Sequence, residues 1–242
     1  MEPGVLYLVG TPIGNLNDIT FRAVSVLKEV DLIAAEDTRK SRILLNHFGI
    51  ETPVTSFYSY NQVKKTPELL ARLREGKSLA LITDAGMPGI SDPAYYLVTR
   101  ALAENMRVVP VPGPTAFVAA LVASGLPTRR FVFEGFLPAK KGRQTLFRQL
   151  SSEERTLVFY ESPHRLERTL EAILKYWGDR RVVIARELTK LYEEFIRGRA
   201  SEVLADLKGK KLKGEIVLIV EGAANRREEK QLGNGKQYKK ED

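Results

Sequence analysis

The chain contains no cysteine, which excludes disulfides, thiolate nucleophiles and cysteine metal sites. Its two histidines, His47 and His164, lie far apart and lack ligand spacing, so no metal site is expected. No apolar run approaches the roughly 20 residues of a bilayer span. The opening Met1-Glu2-Pro3-Gly4 lacks the basic start and apolar stretch of a secretion signal, so a soluble cytoplasmic protein with no membrane partner is expected. A G-x-x-x-x-G-K-[ST] loop is also missing, which argues against a nucleotide hydrolase of that kind. Basic residues are in surplus, 38 Lys and Arg against 30 Asp and Glu, for a net charge of +8. That balance favours a polyanionic partner, because clustered cations neutralise phosphates and release counterions. Solubility alone accounts for a surplus of this size equally well. A length of 242 residues suffices for one large or two modest cores.

The organising stretch runs from Thr83 to Pro93, between the apolar Leu79-Ala80-Leu81-Ile82 and a helix-like segment from Ala94 to Leu102. It reads as a buried strand, a stiff glycine- and proline-bearing loop, then a helix with Asp92 as N-cap and Pro93 at the first helical position. The same pattern recurs. Val5–Val9 feeds Gly10–Leu16, Leu32–Ala35 feeds Glu36–Arg39, and Arg107–Val111 feeds Pro112–Thr115, while Val54–Tyr58 supplies a further strand. Helices are predicted over 21–30, 41–48, about 67–75 and 116–125. Such alternation implies right-handed crossovers and a mostly parallel sheet, whose ligands bind outside the carboxyl ends of the strands. The loops named above should therefore converge on one cleft.

A junction is expected near Leu126–Arg130, giving an N-terminal α/β domain over 1–127. A second α/β domain over 128–223 has strands at 131–136, 156–160, 182–186, 194–198 and 216–220, paired largely antiparallel. Helices are expected after Ser162-Pro163, with Leu166, Leu170, Ile173, Leu174 and Trp177 on one face, and near 200–208. From Ala224 the composition is polar and basic, which predicts a disordered tail over 224–242.

Five strings, Gly10-Thr11-Pro12-Ile13-Gly14-Asn15-Leu16, Ala35-Glu36-Asp37-Thr38-Arg39, Asp84 to Pro93, Tyr160-Glu161-Ser162-Pro163-His164-Arg165 and Arg186-Glu187-Leu188-Thr189-Lys190, occur in one order. Together they resemble the bacterial small-subunit ribosomal RNA 2′-O-methyltransferases of the tetrapyrrole-methylase fold, and the resemblance spans Gly4 to Gly222. It implies two α/β domains with S-adenosylmethionine between them, a mostly parallel first sheet and a mixed second one. It also implies a homodimer and methylation of a cytidine ribose in the decoding region of 16S ribosomal RNA. Histidine is common in that family where Tyr192 stands, so no histidine base is carried over.

Methyl transfer from a sulfonium chiefly demands alignment of nucleophile, methyl carbon and sulfur. On this resemblance the cofactor would be held by Gly10, Pro12, Gly14, Asp84, Ala85, Gly86, Met87, Pro112, Gly113 and Thr115. The Asp84 carboxylate would face the cofactor's cationic part, and amides such as those of Met87 and Thr115 its polar groups. A ribose hydroxyl needs a base, for which Asp37, Glu187 and Lys190 are candidates by location. Arg39 and Arg186 could take flanking phosphates, and Arg129, Arg130, Lys140, Lys141 and Arg143 could form a basic RNA surface. An ion-pair network explains any single one of these charges equally well. Glu161 with Arg165 reads as a structural pair at a helix start, and Phe136 and Phe147 as core. Two other readings stay open: a methyltransferase acting on a tetrapyrrole, and a noncatalytic RNA-binding or ribosome-assembly protein.

Overall fold

In a computed structural model of the chain, residues 4–223 are described; the tail expected over 224–242 lies outside them. The chain divides into two compact units. One extends through Ala119 and also takes in Leu188–Leu191, and the other comprises Ala120–Glu187 and the chain from Tyr192 onward. The division falls inside a helix, Ala116–Val122, ahead of the Leu126–Arg130 junction.

The first unit holds β1 (Val5–Val9), α1 (Phe21–Glu29), β2 (Leu32–Ala35), α2 (Thr38–His47), β3 (Val54–Ser56), α3 (Gln62–Arg74), β4 (Leu79–Ile82), α4 (Ala94–Ala103) and β5 (Arg107–Val111). The α5 helix, Ala116–Val122, follows and runs into the second unit. The strand order is β3-β2-β4-β1-β5, and every pair is parallel. Side chains on both faces are covered. Leu6, Leu32, Ala34, Leu79 and Leu81 pack with Leu69, Leu73, Leu97 and Ala101 of α3 and α4. The intervening Val9, Ile33, Ala35, Ala80 and Ile82 pack with Ala23, Leu27 and Leu45 of α1 and α2. This two-sided burial is why the central strands read as unbroken apolar runs. Pro110 is accommodated because β5 is an edge strand.

Several local readings shift, with α2 beginning at Thr38 rather than 41 and α5 ending at Val122 rather than 125. β3 ends at Ser56, yet the Phe57 amide still donates to Ala35 O at 2.8 Å before a turn closes at Asn61. α3 begins at Gln62 rather than near Pro67, since Asn61 O accepts the Lys65 amide and the first turn forms ahead of the proline. α4 begins at Ala94 with Pro93, not Asp92, in the N-cap position; Asp92, one residue earlier, accepts the Ala94 amide at 3.0 Å and the Gly89 amide at 2.8 Å, so it braces the helix start and closes the preceding loop.

The second unit holds β6 (Phe131–Phe136), α6 (Arg143–Gln149), β7 (Thr156–Glu161), α7 (Leu166–Trp177), β8 (Arg181–Arg186), β9 (Glu194–Arg199), α8 (Ala200–Leu207) and β10 (Ile216–Val220). The order β6-β7-β10-β8-β9 is mixed: β6 runs parallel to β7, and the other pairs are antiparallel. Phe147, Leu170, Ile173, Trp177, Val203 and Leu207 pack with Leu157, Phe159, Val182, Ile184 and Leu218 in one core. Before α7 a short 3-10 turn, Pro163–Arg165, forms without a cap from the Ser162 side chain. Among the described residues no helix is long and apolar enough to cross a membrane.

Candidate functional site

The strand order of the first sheet sets the carboxyl ends of β2, β4, β1 and β5 side by side, and the loops that leave β2, β4 and β1 are cross-bonded. Thr11 and Gly86 exchange backbone hydrogen bonds at 3.0 and 3.1 Å, tying the β1 loop to the β4 loop. The Thr11 hydroxyl donates to Thr83 O at 3.1 Å, and the Thr83 hydroxyl donates to Glu36 Oε2 at 2.6 Å, which adds the β2 loop. Gly86 holds φ +85°, a conformation glycine reaches without steric cost. On the β5 side, a Cβ on Gly10 would lie 2.7 Å from Gly113 Cα and 2.7 Å from Met87 Sδ. Gly10 and Gly113 therefore let two backbones and the Met87 thioether approach one another. Between the loops is a cleft of about 150 Å³, lined among others by Thr11, Pro12, Lys40, Ser41, Thr83 and Asp84.

Two ion pairs shape its charge. Asp84 Oδ1 accepts the Asp37 amide at 3.1 Å, and Asp84 Oδ2 meets Lys40 Nζ at 2.6 Å. The hydrogen bond and charge of Asp84 raise the lysine's pKa. Asp37 caps α2 by accepting the Arg39 amide at 2.9 Å, while its carboxylate grips the Arg39 guanidinium at 2.9 and 3.1 Å. Those bonds lower the Asp37 pKa to about 2. A carboxylate held that low is a weak base at neutral pH. Burial pushes the Asp92 pKa up against the pull of its backbone amides.

Lys190 belongs to the first unit, with Leu188, Thr189 and Leu191. A Cβ on Gly14 would lie 2.5 Å from Lys190 Cγ and 2.9 Å from Thr189 Oγ1, so this segment packs on the β1 loop. The backbone there is strained: Glu187 has φ +50° and Thr189 φ +66°, and threonine is β-branched. Glu187 Oε1 accepts the Glu215 amide at 2.9 Å within the second unit. Arg186 pairs with Glu194 at 2.9 Å and donates to Lys213 O at 3.1 Å. Thus Gly10, Pro12, Gly14, Asp84, Ala85, Gly86, Met87, Pro112, Gly113, Thr115, Asp37, Arg39 and Lys190 belong to the first unit, whereas Glu187 and Arg186 belong to the second.

The expected basic surface needs one correction. Arg129, Arg130, Lys140 and Lys141 are exposed, but Arg143 is only 6% exposed. It donates to Thr169 Oγ1 at 2.6 Å and to Pro138 O at 3.2 Å, and stands 3.8 Å from Glu161. Glu161, 2% exposed, also meets Arg165 at 2.6 Å and accepts the Thr169 hydroxyl at 2.7 Å. Arg143 is thus a buried counter-ion, held inward because residues 143, 147 and 150 share one face of α6 and its continuing turn. Phe147 is core as expected, but Phe136 is 61% exposed.

Sequence reasoning passed over Glu36, Lys40 and Thr11, which link the loops. Their signal lies in the pairing of β2 with β4, which brings Glu36 and Lys40 to Thr83 and Asp84 across about 47 residues of sequence.

Residues 5–204 match the tetrapyrrole (corrin/porphyrin) methylases. Over 222 residues the chain is 52% identical to the ribosomal RNA small subunit methyltransferase I of Halalkalibacterium halodurans, covering 91% of this chain and 77% of that protein. It is 51% identical over 219 residues to the protein of the same name from Thermotoga maritima, covering 90% of this chain and 99% of that one. Among solved structures it is similar to a diphthine synthase, with a TM-score of 0.72, 15% identity and 94% of each chain covered. It is similar too to the uroporphyrin-III-C-methyltransferase of Thermus thermophilus, with a TM-score of 0.64, 22% identity, and 90% of this chain and 94% of that one covered. Identities that low establish a common fold and nothing finer.

Proposed function

The chain belongs to the tetrapyrrole (corrin/porphyrin) methylase family, and from that premise we propose that it moves a methyl group from S-adenosylmethionine to the 2′-hydroxyl of a cytidine ribose in small-subunit (16S) ribosomal RNA. The observation that carries the choice of RNA is identity of about one half, over nine-tenths of the chain, with proteins named ribosomal RNA small subunit methyltransferase I. Small subunits or their RNA are then the partner, the cytoplasm is the working compartment, and a homodimer is part of the same reading.

The residues at the strand ends fit such a cofactor. Among the described residues the amides of Ala85 and Met87 make no hydrogen bond to protein, which leaves donors on the β4 loop. Asp84 supplies an anionic group on the cleft wall, at present balanced by Lys40. When bound, the sulfonium supplies an activated methyl group and a neutral leaving group. The protein's own task is to fix the hydroxyl and receive its proton. Of the three candidate bases, Lys190 packs on the β1 loop and would take the hydroxyl proton with its amine in the neutral form. Asp37 is disfavoured by its low pKa, and Glu187 has a carboxylate oxygen accepting the Glu215 amide.

Incubation with methyl-labelled S-adenosylmethionine and small ribosomal subunits should place the label in 2′-O-methylcytidine after digestion to nucleosides, with Asp84→Ala losing cofactor binding by calorimetry. Label in an extracted tetrapyrrole and none in RNA would overturn the assignment.

A further inference from the structure

The β3 edge of the first sheet carries an aromatic pair that the methyl-transfer site leaves unused. Phe57 is buried, and its amide bonds to Ala35 O, so the chain leaves β3 beside the β2 end. The next residues turn outward. Asn61 closes that turn: its side chain accepts the Tyr58 amide at 2.8 Å and donates to Ser56 O at 3.1 Å, while Tyr58 O accepts the amides of Asn61 and Gln62. The bonded turn holds out two tyrosines, Tyr58 at 40% exposure and Tyr60 at 96%. Their rings meet edge-on, 6.4 Å apart at 64°, an arrangement that steadies Tyr60 while leaving ring surface open to solvent.

A tyrosine exposed to that degree forfeits the burial that ordinarily holds aromatics in a core. The neighbouring β2 loop carries both signs, with Arg39 paired to Asp37 and Lys40 to Asp84, and it leaves both cationic side chains largely in solvent. The register Ala35 to Ser56 sets the β3 turn alongside the β2 loop, which delivers Arg39, its side chain 88% exposed, and Lys40. Lys64 is exposed on the first turns of α3 just after Tyr60. An exposed aromatic pair with solvent-exposed cations on the adjoining loop is chemistry that suits unpaired nucleotides: bases stack on rings, and phosphates meet guanidinium and ammonium groups.

We propose that Tyr60, steadied by Tyr58, is a stacking platform for an unpaired base of the RNA substrate, with Arg39 engaging its phosphate. This rests on the reading of the protein as an RNA methyltransferase. It makes Tyr60 a positioning residue, one that orders the strand and touches no reacting atom. Arg39 can serve while paired with Asp37, since that pair leaves its side chain largely in solvent.

The test uses the full-length protein and a fluorescein-labelled twelve-nucleotide oligocytidylate, measured by anisotropy over a salt series, alongside label transfer to small subunits. Tyr60→Ala should weaken binding about tenfold and leave the salt slope unchanged, because stacking releases no counterions. Tyr60→Phe should bind within about twofold of the parent, as the ring face is retained. Arg39→Gln should lower the salt slope by about one. Calorimetry with S-adenosylmethionine should give the same affinity for Tyr60→Ala as for the parent. If the parent labels ribosomal RNA while Tyr60→Ala binds and methylates as the parent does, the platform is refuted and the enzymatic reading stands. If the parent labels no RNA, both fall. If Tyr60→Ala changes the molar mass in light scattering, the tyrosines belong to a contact between subunits, and the platform is likewise overturned.

Discussion

Asp37 and Arg39 sit two residues apart, and the bond between them limits what each can do. The carboxylate caps α2 and grips the guanidinium, which brings its pKa to about 2, below the usual value of 3.8. Arg39→Gln should therefore return the Asp37 titration toward about 4, measured by carbon-detected NMR of the side-chain carboxyl. The consequence for stability has a definite sign. A folded-state pKa lower than the unfolded one adds stability above the unfolded pKa, and that contribution fades as pH falls from about 4 toward 2. Glu153, likewise held at about 2 by Arg155, adds to the same acid limb. Arg39→Gln should shift the acid-unfolding midpoint upward, and an unmoved Asp37 titration would show that the pair does not persist in solution. None of this was legible from the string Glu36-Asp37-Thr38-Arg39, which shows that charges gather but not which ones meet.

The α6 helix and the end of β7 show how an element decides the fate of a charge. Lys140, Lys141 and Arg143 look alike in sequence. Gly142, at φ +82°, turns the chain, and the helix that follows points Arg143 inward with Phe147 while the lysines remain outside. Burial lowers the Arg143 pKa, and the Glu161 charge opposes that shift. Arg143→Met removes one counter-ion from a buried carboxylate that keeps Arg165 and should cost about 3 kcal/mol of stability, read from the urea midpoint. Unchanged stability with weakened RNA binding would restore Arg143 to the surface. The strands themselves were far more readable. The inner strands β2 and β4 are buried on both faces and carry continuous apolar runs, so their ends, and hence the loops that leave them, follow from pattern alone. The start of α3 was not, because Pro67 resembles a helix beginning and the turn at Asn61 that nucleates the helix has no apolar period.

Across the whole molecule, the surplus of positive charge gains meaning only where it is exposed and clustered. Replacing Lys140 and Lys141 together with alanine should lower the slope of log affinity for RNA against log salt by about one for each phosphate left without its lysine. Affinity for S-adenosylmethionine should not change, as neither lysine lines the cleft. An unchanged slope would remove this loop from the RNA surface. At this scale the sequence indicated two α/β units with a parallel and a mixed sheet. It did not reveal that four residues, Leu188–Leu191, leave the second unit to join the first, because the pattern is local and this packing spans most of the chain. That excursion has a temporal meaning. On a ribosome adding about 5–20 residues each second, Lys190 emerges roughly 10 to 35 s after the Gly14 it packs against. The first sheet can be complete long before then, yet its β1 loop stays without its cover. A chain released early would carry the sheet without this packing on its β1 loop, so that loop reaches its final surroundings only when most of the polypeptide has been made.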